Sequence, residues 1–154
     1  MRAADRREIL AMRPHDSAVH LAWEAYHTVK AQGRGRIAWH KGKPAAFAAF
    51  TEIWPGRWQC WMFGTDHFKD AAVPLLRWFR KEANDILSVV NAHRLDCDSI
   101  ADHHEAHAMI RAMGGIEDGP VMRKYGKGGE DFQRFVWFNG ENDAVIKPGY
   151  VRAA

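Results

Sequence analysis

Asp102-His103-His104-Glu105-Ala106-His107 is the densest run of chemically able side chains in the sequence. His103 and His107 are four apart, so on a helix they share a face and could grip a metal. The zinc-protease pattern is His-Glu-x-x-His. Here His104-Glu105-Ala106-His107 is one residue short, which turns the second imidazole off that face. No cysteine or third histidine lies at a useful spacing, so no metal is expected, and the plain reading is a solvated helix start. A second group sits at strand ends. Glu52 lies late in a long strand, as an edge or strand-end carboxylate able to act in proton transfer. His40, in the strand before it, and Asp98-Ser99, where a parallel strand ends on the usual ligand side, are further candidates. A third group is the turn Gly64-Thr65-Asp66-His67-Phe68-Lys69, between a strand and a long helix, where backbone amides could receive a phosphate. Gly126-Lys127-Gly128-Gly129 is rich in glycine but lacks the Walker spacing, and reads as a hairpin loop.

The elements that must hold these residues can be read in order. Residues 1–13 suggest a short strand or a helical turn. Asp16 or Ser17 caps a helix running to about Gln32, with Val19, Ala22, Trp23, Tyr26 and Val29 on its apolar face. A meander follows: Arg36 to His40, a turn at Lys41-Gly42-Lys43, Pro44 to Trp54, a turn at Pro55-Gly56, and Arg57 to Phe63. In the last of these, Trp58, Cys60 and Met62 face one way and Gln59, Trp61 and Phe63 the other. The central helix, about Phe68 to Val89, carries a stripe from Ala72 through Leu75, Leu76, Phe79, Ala83, Ile86 and Leu87 to Val90. Then come a strand in Arg94–Asp98, parallel to Arg57–Phe63 by the crossover rule, and a helix that Ile100-Ala101-Asp102 starts and Gly114-Gly115 ends. Pro120–Tyr125 and Phe132–Phe138 read as a final strand pair.

The chain has 154 residues, enough for one domain with a real core; 47% are hydrophobic and 27% charged, as in a globular rather than a disordered protein. No apolar run reaches the ~20 residues of a membrane span, and the charged start lacks a signal-peptide core. A cytoplasmic protein is the expectation, with Cys60 and Cys97 as buried free thiols. The net charge is +3, but the basic residues are scattered, so nucleic acid is not expected as a partner. Seven tryptophans point to core packing and to a protein interface.

The order of elements, with a strand–turn–helix at the centre and Gly-Gly after the last helix, resembles the GNAT acyltransferases over about residues 8–138. The resemblance implies an α+β fold: a mixed central sheet of about six to seven strands with helices on both faces, in a domain of residues 1–138 followed by a tail of 139–154. In that family the last helix carries Asn-x-x-Ala-x-x-x-Tyr-x-x-x-Gly-Phe. His103 falls on the Asn, Ala106 on the Ala, Ile110 on the Tyr and Gly114-Gly115 on the Gly-Phe. The tyrosine often protonates a departing thiolate, and Ile110 cannot. The family's loop, Arg/Gln-x-x-Gly-x-Gly/Ala, maps to Gly64 through Ala72, which has one glycine and two acids, Asp66 and Asp70. A carboxylate there competes, as a helix cap, for the amides a phosphate would use.

These departures are similar to the GNAT-like internal virion and assembly proteins of short-tailed phages. That resemblance implies a catalytically silent protein of virion structure or assembly, with protein partners, in the host cytoplasm or the virion. The alternative it leaves is an active N-acetyltransferase. Acetyl-CoA would then lie along Phe63, Gly64, Thr65, Asp66, His67, Phe68 and Lys69, with Asp98, Ser99 and His103 nearby. The amine would enter near Glu52, as general base, and Tyr26.

Overall fold

A computed structural model describes residues 1–139 of the chain. Residues 140–154, which hold nearly all of the expected tail, lie outside the described residues.

Local chemistry sets most of the elements. Helix α1 spans Ala3–Ala11 and α2 spans Ala18–Gln32. The Ser17 hydroxyl caps α2 by accepting from the His20 amide at 3.3 Å, and Gly33 ends it in the left-handed region at φ +68°. Strands β1 (Gly35–His40) and β2 (Lys43–Trp54) are joined by Lys41-Gly42, both at positive φ, as a tight hairpin turn requires. Strand β3 is Arg57–Gly64, entered through Pro55-Gly56. Helix α3, Phe68–Asn84, buries Phe68, Ala71, Leu75, Phe79 and Ala83 along one stripe. It runs on into a π-helical turn at Asp85–Val89. Strand β4 (Arg94–Ile100), helix α4 (His104–Ala112) and strands β5 (Ile116–Glu117) and β6 (Phe132–Phe138) complete the order.

The six strands form one sheet in the order β1-β2-β3-β4-β6-β5. All neighbours are antiparallel except β3 and β4, which are parallel and joined through α3. Helices cover both faces. Phe50, Trp58, Cys60, Phe79, Ile86, Leu95, Ile110 and Phe135 make the larger core on the α3–α4 side. Ile9, Leu10 and Leu21 pack with Trp61 and Phe63 on the other, and Ala25 packs with Phe47 and Ala49. The expected facing of Cys60 against Trp61 and Phe63 follows from the pleat. None of the helices among the described residues is long and apolar enough to cross a membrane.

Four expectations need correction. The N-terminal segment is a helix, held by long-range partners described below. Helix α2 buries Leu21 and Ala25, whereas Val19, Trp23 and Tyr26 of its expected face are exposed. The last helix starts at His104, because Ile100 remains in β4. Pro120–Tyr125 is not a strand: only Met122 bridges to Phe132, and the partner of β6 is the two-residue β5.

Candidate active site in the gap between two strands

Strands β3 and β4 pair at only three positions, Arg57↔Arg94, Trp58↔Leu95 and Gln59↔Asp96. Beyond that point they part. Two Arg–carboxylate contacts pin the vertex: Asp96, fully buried, accepts from Arg57 at 2.9 Å and from Arg94 at 2.8 Å. The gap opens toward Gly64 and Ile100 and holds a cavity of about 290 Å³. One wall is apolar, built from Met62 of β3, Phe68 and Phe79 of α3, and Met109 and Met113 at the end of α4. The other wall is charged and comes from the N-terminal helices: Arg2, Asp5, Glu8, Arg13 and Glu24. The cavity therefore passes through the sheet, from an apolar side to a polar one.

Helix α1 lies across the mouth of the gap and bonds to both strands. The Asp5 carboxylate accepts from the Gly64 amide at 2.5 Å and from Arg2. One turn on, a single oxygen of Glu8, Oε2, accepts from the Ser99 hydroxyl at 2.8 Å, the Ile100 amide at 3.0 Å and the His103 ring at 2.8 Å. Those three donors leave Oε1 of Glu8 without a partner among the described residues. The hydrogen bond to Glu8 raises the His103 pKa above the usual histidine range, against the effect of burial, and Asp5 at 4.0 Å adds to the rise. His103 thus stands between two carboxylates that favour its charged form, and it lines the cavity.

The loop after β3 is less open to a phosphate than bare amides would be. Asp5 takes the Gly64 amide, the Ala45 carbonyl takes that of Thr65, and the Thr65 hydroxyl and carbonyl take those of His67 and Phe68. Asp66, expected to cap the helix, is exposed and caps nothing; the helix start at His67 has no side-chain cap. Gly64 is needed for another reason: a methyl group there would meet the buried Phe68 ring at 2.8 Å.

The other candidates scatter. Glu52, expected as general base, stands at the opposite end of the sheet, where its carboxylate accepts from the Gly56 amide in the β2–β3 turn. Tyr26 is exposed on α2 and lines a separate groove beside β1. His40 lies 3.9 Å from Asp70, away from the gap. Asp98 does line the cavity, but both its oxygens accept from Arg134, at 2.7 and 2.8 Å. His107 turns from His103 and donates to the Ile100 carbonyl at 2.9 Å, and burial lowers its pKa. Contact with Cys60, then burial, holds the Cys97 thiol well above the ordinary range, so it stays protonated. Among the described residues no three metal-ligating side chains group together. Asp5 and Glu8 were missed in the sequence. The available signal was two acids three apart, on one helical face with the apolar Ile9.

No protein-family model matches the chain, and neither does any curated protein. Solved structures do. One with a provisional acetyltransferase assignment superposes with a TM-score of 0.71 at 13% identity, over 95% of this chain and 78% of that one. The ribosomal-protein-S5-alanine acetyltransferase of Vibrio fischeri gives 0.63 at 13% identity, over 90% and 85%. Mycobacterium smegmatis RimJ, in complex with CoA-disulfide, gives 0.62 at 11% identity, over 85% and 66%. The fold is therefore the mixed α+β architecture of the GNAT acetyltransferases, as the order of elements implied. The expectation of a silent phage virion or assembly protein is overturned by the same finding: the solved structures named above, which share the fold, carry acetyltransferase names.

Proposed function

We propose that the chain is an acyl-CoA-dependent N-acyltransferase, with acetyl-CoA as donor and an amine as acceptor. The observation that carries this reading is the gap between β3 and β4, with a cavity running through the sheet from an apolar wall to a charged one. Beyond Gln59 and Asp96 the facing edges of β3 and β4 are not paired to each other, so they suit an extended arm that itself carries amides, as pantetheine does. Met62, Phe68 and Met109 give that arm an apolar wall. The fit is poorer at the phosphate end, where four loop amides already have partners. The names of the solved relatives supply the class of reaction, and one of them holds CoA.

In this reading the Gly64 amide polarises the thioester carbonyl after Asp5 releases it. The acceptor nitrogen attacks that carbonyl carbon, forming the C–N bond. Its proton passes to the free oxygen of Glu8. The C–S bond then breaks, and the imidazolium of His103 gives its proton to the leaving sulfur. Solvent resets the pair by taking the proton from Glu8 and returning one to His103. The group that Ile110 cannot replace is thereby supplied from three residues before Ala106.

Calorimetry with acetyl-CoA tests the donor site, and product analysis with spermidine and with an alanine-initiated peptide tests transfer. Micromolar binding with acetyl transfer to either amine is expected. No binding at millimolar acetyl-CoA would refute the reading.

A further inference from the structure

The groove beside β1 takes no part in the site above. It has a volume of about 680 Å³ and is lined by Tyr26 and Val29 of α2, by Gly35, Ile37 and Trp39 of β1, and by Phe47 of β2. Its neighbourhood is the most apolar exposed surface described: Val19 is 77% exposed, Trp23 62%, Tyr26 and Trp39 60% each and Ile37 49%. Taking 150–250 Å² for a whole aromatic side chain, these residues expose on the order of 500 Å², a patch size that marks interfaces. Among the described residues β1 is also an edge strand, paired on one side only. An unpaired edge beside an apolar patch calls for a covering partner.

We propose that this surface is the interface of a two-fold symmetric dimer, in which β1 pairs antiparallel with β1 of a second copy about Ile37. Three features favour a second copy. First, Gly35, Ile37 and Trp39 all line the groove on the α2 side, although the β1–β2 register shifts between Ala38 and Trp39. A two-fold axis at Ile37 sets Ile37 opposite its own mate and Trp39 opposite Gly35 of the partner. Trp39 is the projecting side chain; the face of Gly35 is covered by the Val29 side chain, which stands where a Cβ at position 35 would be, so the partner's Trp39 would lie on Val29 and Tyr26. Gly35 and Trp39 are four strand residues apart on one element, so the two-fold makes this contact twice. Second, the charges do not collide. Arg36 points to the opposite side, with its guanidinium over the Trp78 ring at 5.4 Å, and the Lys30 ammonium lies over Tyr26 at 5.8 Å. Third, the exposed patch together with a six-residue strand edge approaches the ~800 Å² per partner of a standard interface. The dimer would carry one continuous sheet of twice six strands.

Sedimentation equilibrium at 1–100 µM, with Trp39→Glu and Ile37→Lys beside the wild type, tests the association. The wild type is expected at twice the 17.6 kDa chain mass, and either variant at the chain mass with an unchanged circular dichroism spectrum. Both side chains are exposed, so the substitutions leave the core alone. Ile37→Cys tests the register: opposed residues in an antiparallel pair bring their Cβ atoms within about 4.5–5.5 Å, close enough to oxidise to a disulfide-linked dimer. Val89→Cys, 78% exposed and outside the patch, should stay monomeric under the same oxidant. A wild type that remains monomeric at 100 µM overturns the proposal and leaves the surface to another protein or to residues 140–154. A dimer that survives both charged variants, or that does not cross-link through position 37, overturns it equally.

Discussion

At the scale of single residues, the centre of interest is one carboxylate with two unlike oxygens. Three donors hold Oε2 of Glu8, which lines the cavity, and Oε1 has no partner among the described residues. If Glu8 takes the acceptor's proton, Glu8→Gln should lower turnover by about 10²–10⁴-fold while acetyl-CoA binds within about twofold of wild type. Steady-state kinetics beside calorimetry separates the two; unchanged turnover would remove Glu8 from the mechanism. His103 makes a second claim that needs no substrate. Its pKa is raised in the folded protein, chiefly by Glu8. Below the unfolded value of about 6.5 both states hold the proton, and the pair's stabilisation is complete. As pH rises through the raised folded value the proton leaves, and that stabilisation is lost. The stability difference between wild type and His103→Gln should therefore be larger at pH 6 than at pH 9. Urea unfolding at both values measures it, and equal differences would show that the Glu8–His103 contact does not favour the charged ring. His107 works in the opposite sense, since burial lowers its pKa and costs stability as pH falls below about 6.5. It is present in both proteins and cancels in the comparison.

At the scale of elements, Gly64 is where strand, loop and helix meet. An added methyl group would stand 2.8 Å from the Phe68 ring and 2.9 Å from its Cβ. Phe68 is buried and sits under the Arg2 guanidinium at 4.7 Å, so it cannot swing away freely. Gly64→Ala should cost about 1–3 kcal/mol of stability. Denaturant unfolding checks this, and a loss below about 0.5 kcal/mol would mean that the ring yields. Elements of this kind were legible in the sequence wherever their signals are local. Lys41-Gly42 and Pro55-Gly56 announce their turns, and Phe68, Leu75, Phe79 and Ala83 announce their helix. Helix α1 was not legible, because its place depends on partners at Gly64, Ser99 and Ile100, about sixty and ninety residues away. Helix α2 was misread by rotation. Leu21 and Ala25 form one apolar face and Val19, Trp23 and Tyr26 another, and only packing against β2 selects between them. The site divided in the same way. Gly64, Ser99 and His103, which strand ends and helix starts mark in the sequence, do lie together at the gap. Glu52 was placed at the site by the resemblance to GNAT enzymes, whereas the hairpin register, with Glu52 opposite Trp58, carries it to the far end.

At the scale of the whole molecule, the sheet is two blocks. Strands β1, β2 and β3 pair along nearly their full lengths, as do β4 and β6, but β3 and β4 share only three positions. What joins the blocks is the crossover through α3, the arginines around Asp96, and α1 lying across the mouth with Asp5 on one block and Glu8 on the other. A molecule built this way keeps an opening in its own sheet and spans it with side chains that a ligand would replace. A donor bound along both edges would join the blocks directly and stabilise the folded state alone. At a hundred times its dissociation constant, such a ligand adds about 2.7 kcal/mol. For a domain of this size, with roughly 2–4 °C per kcal/mol, the midpoint of thermal unfolding should rise by about 5–10 °C. The release of Asp5 from Gly64 opposes the gain, so Asp5→Asn should start from a lower midpoint and show the larger rise with acetyl-CoA. Differential scanning calorimetry of both proteins, with and without the ligand, measures the four midpoints. A rise in wild type that Asp5→Asn does not enlarge would leave the gap as the binding site and remove α1 as its competitor. The absence of any rise in either protein would count against the gap itself.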